Sequence, residues 1–357
     1  MNKRFRKYLL SLFITSIFIT QNIHAQKSLY VDGRPSATLR MHCRDAGIVL
    51  RYGDGKDSCD TYGAREAIVN KEGDTYYLFY DGAGKTGWLA CLAESNDLKT
   101  WVKKGAILSL GDSSKNDSKS ASSPWVIKEK DEWHMFYIGT PHTSPAPNRI
   151  PMFPYLTMKA VSKSLEGPWI KQYDVTPFAV KENTFYTVTS SAGFIVKQDD
   201  EYMQFFSGAT EDDSLGTRRT LGIARTKDLN AAWTIDKDPI FPLSEQVENS
   251  SLYFEEATNT WFLFTDHIGI NKKKEEYTDA IWVYWTKDLN KWDTKHKAIV
   301  LDKSNCTWGK GAIGMPSVIK VGDKLAMLYD APKGNSTRHM ERNIGLAWIA
   351  LPVKIPE

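Results

Sequence analysis

The sequence predicts an all-β fold, a five-bladed β-propeller, and three observations lead to it. A polar turn ending in tryptophan recurs as NDLKTW, KSLEGPW, TKDLNAAW and TKDLNKW, centred on Asp97, Ser164, Asp228 and Asp288 at intervals of 67, 64 and 60 residues. An aromatic run recurs five times, as YYLFYDG, WHMFYIG, YMQFFSG, WFLFTDH and LAMLYDA. Each is preceded by a short β-branched run and a turn such as KEGDT or KVGDK, and followed by a third run such as WLACLAES. Strand-length segments rich in Val, Ile, Tyr, Phe and Trp between Gly, Asp, Asn and Lys turns, four to a unit, are the pattern of propeller blades.

The chain begins with basic Lys3, Arg4, Arg6 and Lys7, an apolar run from Tyr8 to Ile19, and Ile23-His24-Ala25. This reads as a signal peptide over residues 1–25, its apolar core far shorter than the roughly 20 residues a spanning helix needs. The expected mature protein is a single propeller domain over 26–357, exported to the periplasm or beyond, and soluble. Loss of the four basic residues takes the formal charge from +3 to −1, which gives no pull toward nucleic acid or an anionic membrane. Cys43, Cys59, Cys91 and Cys306 form no metal-ligand spacing, so no metal or other cofactor is expected; export permits a disulfide among them.

Within each unit the expected order is a channel-lining strand, an antiparallel return, a third strand and an outer strand that starts at the tryptophan. The fifth unit supplies only three strands, ending at IGLAWIALP, so GIVLRY at 47–52 is expected to provide its outer strand and close the ring. Asp97, Asp228 and Asp288 belong to the recurring turn, where an aspartate bonds the backbone two residues on. They are therefore scaffold.

Function is sought in what fails to repeat. At the end of the second strand the five units read Asp81, Ile138, Ser207, Asp266, Asp330, then Gly82, Gly139, Gly208, His267, Ala331. One histidine among four small residues marks His267. Ahead of the first strand, small and hydroxyl residues dominate, and Glu66 and Glu248 interrupt them. Two carboxylates on one funnel suit glycoside hydrolysis, in which one protonates the leaving oxygen and the other attacks the sugar or activates water. Glu66, Glu248, His267 and Asp266 are the candidate catalytic residues, Glu66 kept ionised by Arg65. Arg65, Asp81, Asp330, His142 on the second loop and Arg338 on the fifth are candidate substrate contacts. Arg149, Arg218 and Arg219 on neighbouring loops allow for an acidic or sulfated sugar, and Trp88, Tyr155 and Trp308 for stacking on sugar faces.

The stretch GAREAIVNKEGDTYYLFYDG followed by LACLAESNDLKTW resembles the five-bladed propeller glycosidases of families 43, 32, 68, 117 and 130, from about residue 45 to the end. That resemblance implies a carbohydrate substrate and a catalytic carboxylate at the first-blade position, here Glu66, read as base or nucleophile with Glu248 as acid. Ser123-Pro124 and Ser190-Ser191 stand where family 43 would place its other acids, and the acid on the fourth blade with a histidine nearby is closer to what family 117 implies. Four long loops walling the funnel favour attack at a chain end. The competing readings are a non-catalytic carbohydrate-binding propeller and a glycoside phosphorylase. Oligomeric state is left open.

Overall fold

The computed structural model describes residues 33, 34 and 37–357, so the signal-peptide reading of 1–25 lies outside the described residues. Two short strands, β1 (Leu39–Arg40) and β2 (Arg44–Leu50), precede a series of antiparallel meanders. The first is β3 (Gly63–Glu72), β4 (Thr75–Ala83), β5 (Trp88–Ser95) and β6 (Val102–Ala106). The second is β7 (Ser120–Glu129), β8 (Glu132–Thr140), β9 (Tyr155–Ser162) and β10 (Ile170–Lys171). The third is β11 (Thr189–Gln198), β12 (Glu201–Asp212), β13 (Gly216–Thr226) and β14 (Thr234–Ile235). The fourth is β15 (Val247–Glu255), β16 (Thr260–Ile270), β17 (Glu276–Thr286) and β18 (Lys297–Leu301), and β1 adds to its edge in parallel. The fifth has β19 (Gly314–Val321), β20 (Lys324–Pro332) and β21 (Arg342–Ala350) from the C-terminal end, and its fourth strand is β2, antiparallel to β21. The N-terminal strand thus runs from Arg44 to Leu50, three residues earlier than GIVLRY begins.

At the perimeter the recurring turn behaves as a packing device. Asp97 Oδ1 accepts from the backbone N–H groups of Lys99 and Thr100 at 2.8 Å each, Asp228 Oδ1 from Asn230 at 2.8 Å, and Asp288 Oδ1 from Asn290 at 3.0 Å. The Ser164, Asp228 and Asp288 turns each then deliver a tryptophan against the preceding meander. Trp169 meets Phe79 edge-on at 6.4 Å, Trp233 meets Phe136 at 5.2 Å, and Trp292 meets Phe205 at 6.2 Å. These phenylalanines occupy the same place in successive second strands, so one aromatic contact is used at three meander boundaries. Edge-to-face geometry at such separations is favourable beyond the area it buries.

At the centre a second device repeats. Every first strand carries a β-bulge, between Arg65 and Ile68, Ser122 and Trp125, Ser191 and Phe194, Glu248 and Ser251, and Gly314 and Ser317. In four of them the first bulged residue is left-handed: Glu66 (φ 56°), Ser123 (φ 50°), Asn249 (φ 60°) and Met315 (φ 55°). Its N–H is then free of the ladder and turns toward the preceding meander. There the second-strand residue accepts it: Asp330 for Glu66 at 2.7 Å, Asp81 for Ser123 at 2.5 Å, Ser207 for Asn249 at 2.9 Å, and Asp266 for Met315. The one exception follows from chemistry. Ile138 cannot accept, and the bulge opposite it contains Ala192, which is not left-handed, and Gly193, where an added Cβ would run into the Phe205 carbonyl.

The four cysteines are buried free thiols, so the disulfide that export would permit is not formed. No helix among the described residues is long and apolar enough to cross a membrane.

Candidate active site

The bulges decide which carboxylates face the central cleft. Glu248 is the residue before its bulge, paired with Asp266 across the ladder, whereas Glu66 is the bulged residue itself, one place further on. Both side chains nonetheless line one pocket of about 100 Å³, together with Arg65, Trp88, Tyr155, Arg219 and His339. This pocket opens into a cleft of about 440 Å³ whose walls are Ile150 to Tyr155 from the second meander, Glu211 and Arg219 from the third, Ile268 and Glu276 to Thr278 from the fourth, and Thr337, His339 and Arg342 from the fifth. Each wall belongs to a connection between second and third strands or to the strand ends beside it.

The two glutamates are held differently. Glu66 Oε1 lies 2.9 Å from Arg65 Nη2, and Oε2 accepts from the Ser123 hydroxyl. Its two oxygens thus meet one full cation and one hydroxyl donor. Glu248 is bound to Arg219 Nη1, but the same guanidinium also holds Glu276 in a bidentate pair at 3.0 Å and 3.0 Å. Burial pushes the Glu248 carboxyl above its ordinary value, with Arg219 opposing and the charges of Glu276 and Glu66 adding to the rise. Tyr155, between the two, donates its hydroxyl to the Pro151 carbonyl at 2.8 Å, and burial pushes its phenol up to about 12.

The guanidiniums that reach the cleft are already met by carboxylates: Arg65 by Glu66 and, at 3.9 Å, Asp330; Arg219 by Glu248 and Glu276; Arg342 by Asp330. The allowance for an acidic sugar is not met by this balance of charge. Of the other loop arginines, Arg218 donates to the Leu243 carbonyl and Arg338 pairs with Glu341 in solvent.

Several expectations from sequence are corrected. His267 does not point into the cleft: it is fully buried, its ring stacked on Trp282 with centroids 3.5 Å apart, and Nδ1 is 3.6 Å from Asp279. Neighbours on a strand face opposite ways, so with Asp266 turned to the centre, His267 turns outward. Asp266 and Asp330 are fully buried and serve the bulge clamp rather than open space; Asp81, 2% exposed, serves the same clamp but also lines the carboxylate pocket. Asp266 also accepts from Asn249 Nδ2 at 2.9 Å, and burial raises its carboxyl and that of Asp81 well above the usual range. His142 and Arg338 are exposed, and neither lines the cleft. Trp308 packs on Tyr329, to which its indole N–H donates at 2.7 Å. Trp88 and Tyr155 do line the pocket.

Sequence reasoning missed Glu276, Arg342 and His339. They stand on or beside loops that do not repeat, in HIGINKKKEEYT and APKGNSTRHMER, where no periodicity tells which side chain turns inward.

No family model matches the chain, and no curated protein matches it. Solved structures do. The RGII complex of BT0996 superposes with a TM-score of 0.67 at 17% identity, over 89% of this protein and 96% of that one. The catalytic domain of the family 62 α-L-arabinofuranosidase of Coprinopsis cinerea gives 0.61 at 11% identity, over 87% and 97%. Zg3597, a family 117 glycoside hydrolase of the marine bacterium Zobellia galactanivorans, gives 0.59 at 13%, over 87% and 91%. At these identities the likeness is one of fold: this protein has the all-β fold of these neighbours, of which the last two are named as glycoside hydrolases.

Proposed function

We propose that this protein is an exported glycoside hydrolase that removes sugars from the ends of a neutral poly- or oligosaccharide, on a closed five-bladed propeller. The observation that carries the reading is the meeting of Glu66 and Glu248 in one pocket, each on its own arginine. Closure is supported by β2 completing the sheet of β19 to β21, and by the clamp from Asp330 in the last meander to Glu66 in the first. Attack at chain ends is supported by walls from four meanders around a pocket of sugar size. A neutral substrate, such as the arabinosides named for one of the structural neighbours, fits a cleft whose cations are already compensated. Export rests on the leader sequence.

In this mechanism Glu66 is the base or nucleophile, one oxygen beside the Arg65 guanidinium and the other accepting from the Ser123 hydroxyl. Glu248 is the acid. Its raised pKa keeps a proton available, which passes to the glycosidic oxygen as the bond to the anomeric carbon breaks. Activity therefore falls as pH rises through the Glu248 pKa, which lies above the ordinary carboxylate value of about 4.3.

The test is a screen of the purified protein against neutral and uronate-containing plant and algal glycans, with the anomer of the first product read by NMR. Glu66→Gln should lower kcat by about 100-fold or more on every substrate while leaving folding intact. Glu248→Gln should do the same on natural glycans, lose the fall at high pH, and recover on aryl glycosides whose leaving group needs no proton. Unchanged turnover in both variants on a confirmed substrate would refute the assignment.

A further inference from the structure

His339 occupies the junction of the cleft. It lines the carboxylate pocket, the main cleft and a further lobe of about 590 Å³, and among the described residues no other side chain lines all three. The further lobe lies toward Asn271, Glu275, Lys303 and Lys310, and is joined to the main cleft through Glu276, Tyr277 and Thr337 as well. A glycan longer than one sugar must pass His339 to fill both.

One contact fixes the state of its ring. Arg65 Nη1 lies 3.0 Å from His339 Nδ1. A guanidinium nitrogen can only donate, so Nδ1 must carry the lone pair, and a neutral ring then carries its hydrogen on Nε2. Protonation would remove that acceptor and set a second cation against Arg65. Burial, with the charges of Arg65 from β3, Arg342 from β21 and Arg219 from β13, holds the ring neutral, well below its ordinary range; Glu275, Glu276, Asp279, Lys303 and Lys310 are the charged groups that line the further lobe with it. His339 itself stays accessible to solvent on the cleft side.

We propose that His339 is a substrate-positioning residue whose Nε2–H donates to a hydroxyl or ring oxygen of the neutral glycan where it crosses from the carboxylate pocket into the further lobe. The lobe is then the subsite for the sugars beyond the scissile bond. This rests on the glycoside hydrolase reading, but one arm of the test does not.

That arm is long-range ¹⁵N–¹H NMR of the imidazoles in the intact protein. His339 should show an unprotonated Nδ1 and a protonated Nε2 without titrating down to about pH 5, more than a unit below the ordinary histidine value of about 6.5. Titration near that ordinary value, or a hydrogen on Nδ1, overturns the proposal even if glycosidase activity is found. The second arm compares, for the sugar that the screen shows to be released, the 4-nitrophenyl monosaccharide with a trisaccharide that fills the further lobe. His339→Leu should raise KM for the trisaccharide by about tenfold or more, with a smaller rise for the monosaccharide and little change in kcat. His339→Gln, which can accept from Arg65 and donate into the cleft, should restore part of the loss. Equal effects on both substrates, or none on either, overturn the subsite assignment. Loss of Glu66 dependence would instead sink the glycosidase reading itself.

Discussion

At the perimeter, Asp97, Asp228 and Asp288 stand in solvent and take backbone N–H groups from their own turns; at the centre, Asp81, Asp266 and Asp330 are buried and take N–H groups from the next meander. One residue type recurs in two rings with the same bond and opposite electrostatics. Donors from the turn hold the Asp97 and Asp288 carboxyls below their ordinary value, whereas burial raises Asp81 and Asp266 well above it. The difference teaches that a strongly raised pKa near the funnel is not by itself a sign of catalysis. What separates Glu66 and Glu248 from the inner aspartates is that their positions do not recur and, as against Asp266 and Asp330, that they line the carboxylate pocket.

The sharpest way to break the comparison is through what the outer turn delivers. Trp233 is 6% exposed, lies between Phe136 and Phe178, and bridges two meanders. Trp233→Ala should destabilise by about 3–5 kcal/mol, read by urea or thermal melting, as truncation of a buried aromatic does. A loss below about 1 kcal/mol would mean that the turn does not pin the boundary and that its recurrence needs another cause.

The perimeter was the most legible part of the chain because both of its signals are local. The turn aspartate bonds within three residues, and the tryptophan follows at once, so a repeat in sequence reports a repeat in contacts. The inner ring repeats as visibly, in Asp81, Asp266 and Asp330, but its partners lie 42, 49 and 264 residues away. Without them, a recurring buried acid is indistinguishable from a substrate ligand. The misreading of His267 was avoidable: strand alternation forbids it and Asp266 from sharing a face. The one-place offset between Glu66 and Glu248 was not, since a bulge leaves no mark in composition. Glu276 and His339 escaped for a third reason, as loop side chains whose direction is set by tertiary packing alone.

The inner ring gives the next test. For Asp266 the folded pKa is raised above the unfolded value of about 3.9, so its contribution is fully present below that value and is lost as pH rises through the folded pKa. Asp266→Asn keeps one oxygen to accept from Met315 or Asn249 but carries no proton equilibrium. The stability advantage of the parent over this variant should be greatest in acid and should shrink toward neutral pH, a change of about 1–2 kcal/mol across the range. An advantage that grows with pH would show the clamp to be an ionised carboxylate, and the two rings to be electrostatically alike.

The smallest effect is expected at the outer turn aspartate itself, and for that reason it sharpens the contrast most. Asp228 is exposed, accepts one backbone N–H at 2.8 Å through Oδ1, and has no role in the cleft. Asn can accept the same bond through its amide oxygen, so Asp228→Asn loses only a charge in water. Stability should change by no more than about 0.5 kcal/mol, the scale of a surface substitution, and kcat/KM should be unchanged. Activity, if it fell while the melting temperature held, would mean that a carboxylate at the rim acts on the centre through some path other than packing. The separation of recurring scaffold from non-recurring chemistry, on which Glu66 and Glu248 were chosen, would then have to be redrawn from the inner ring outward.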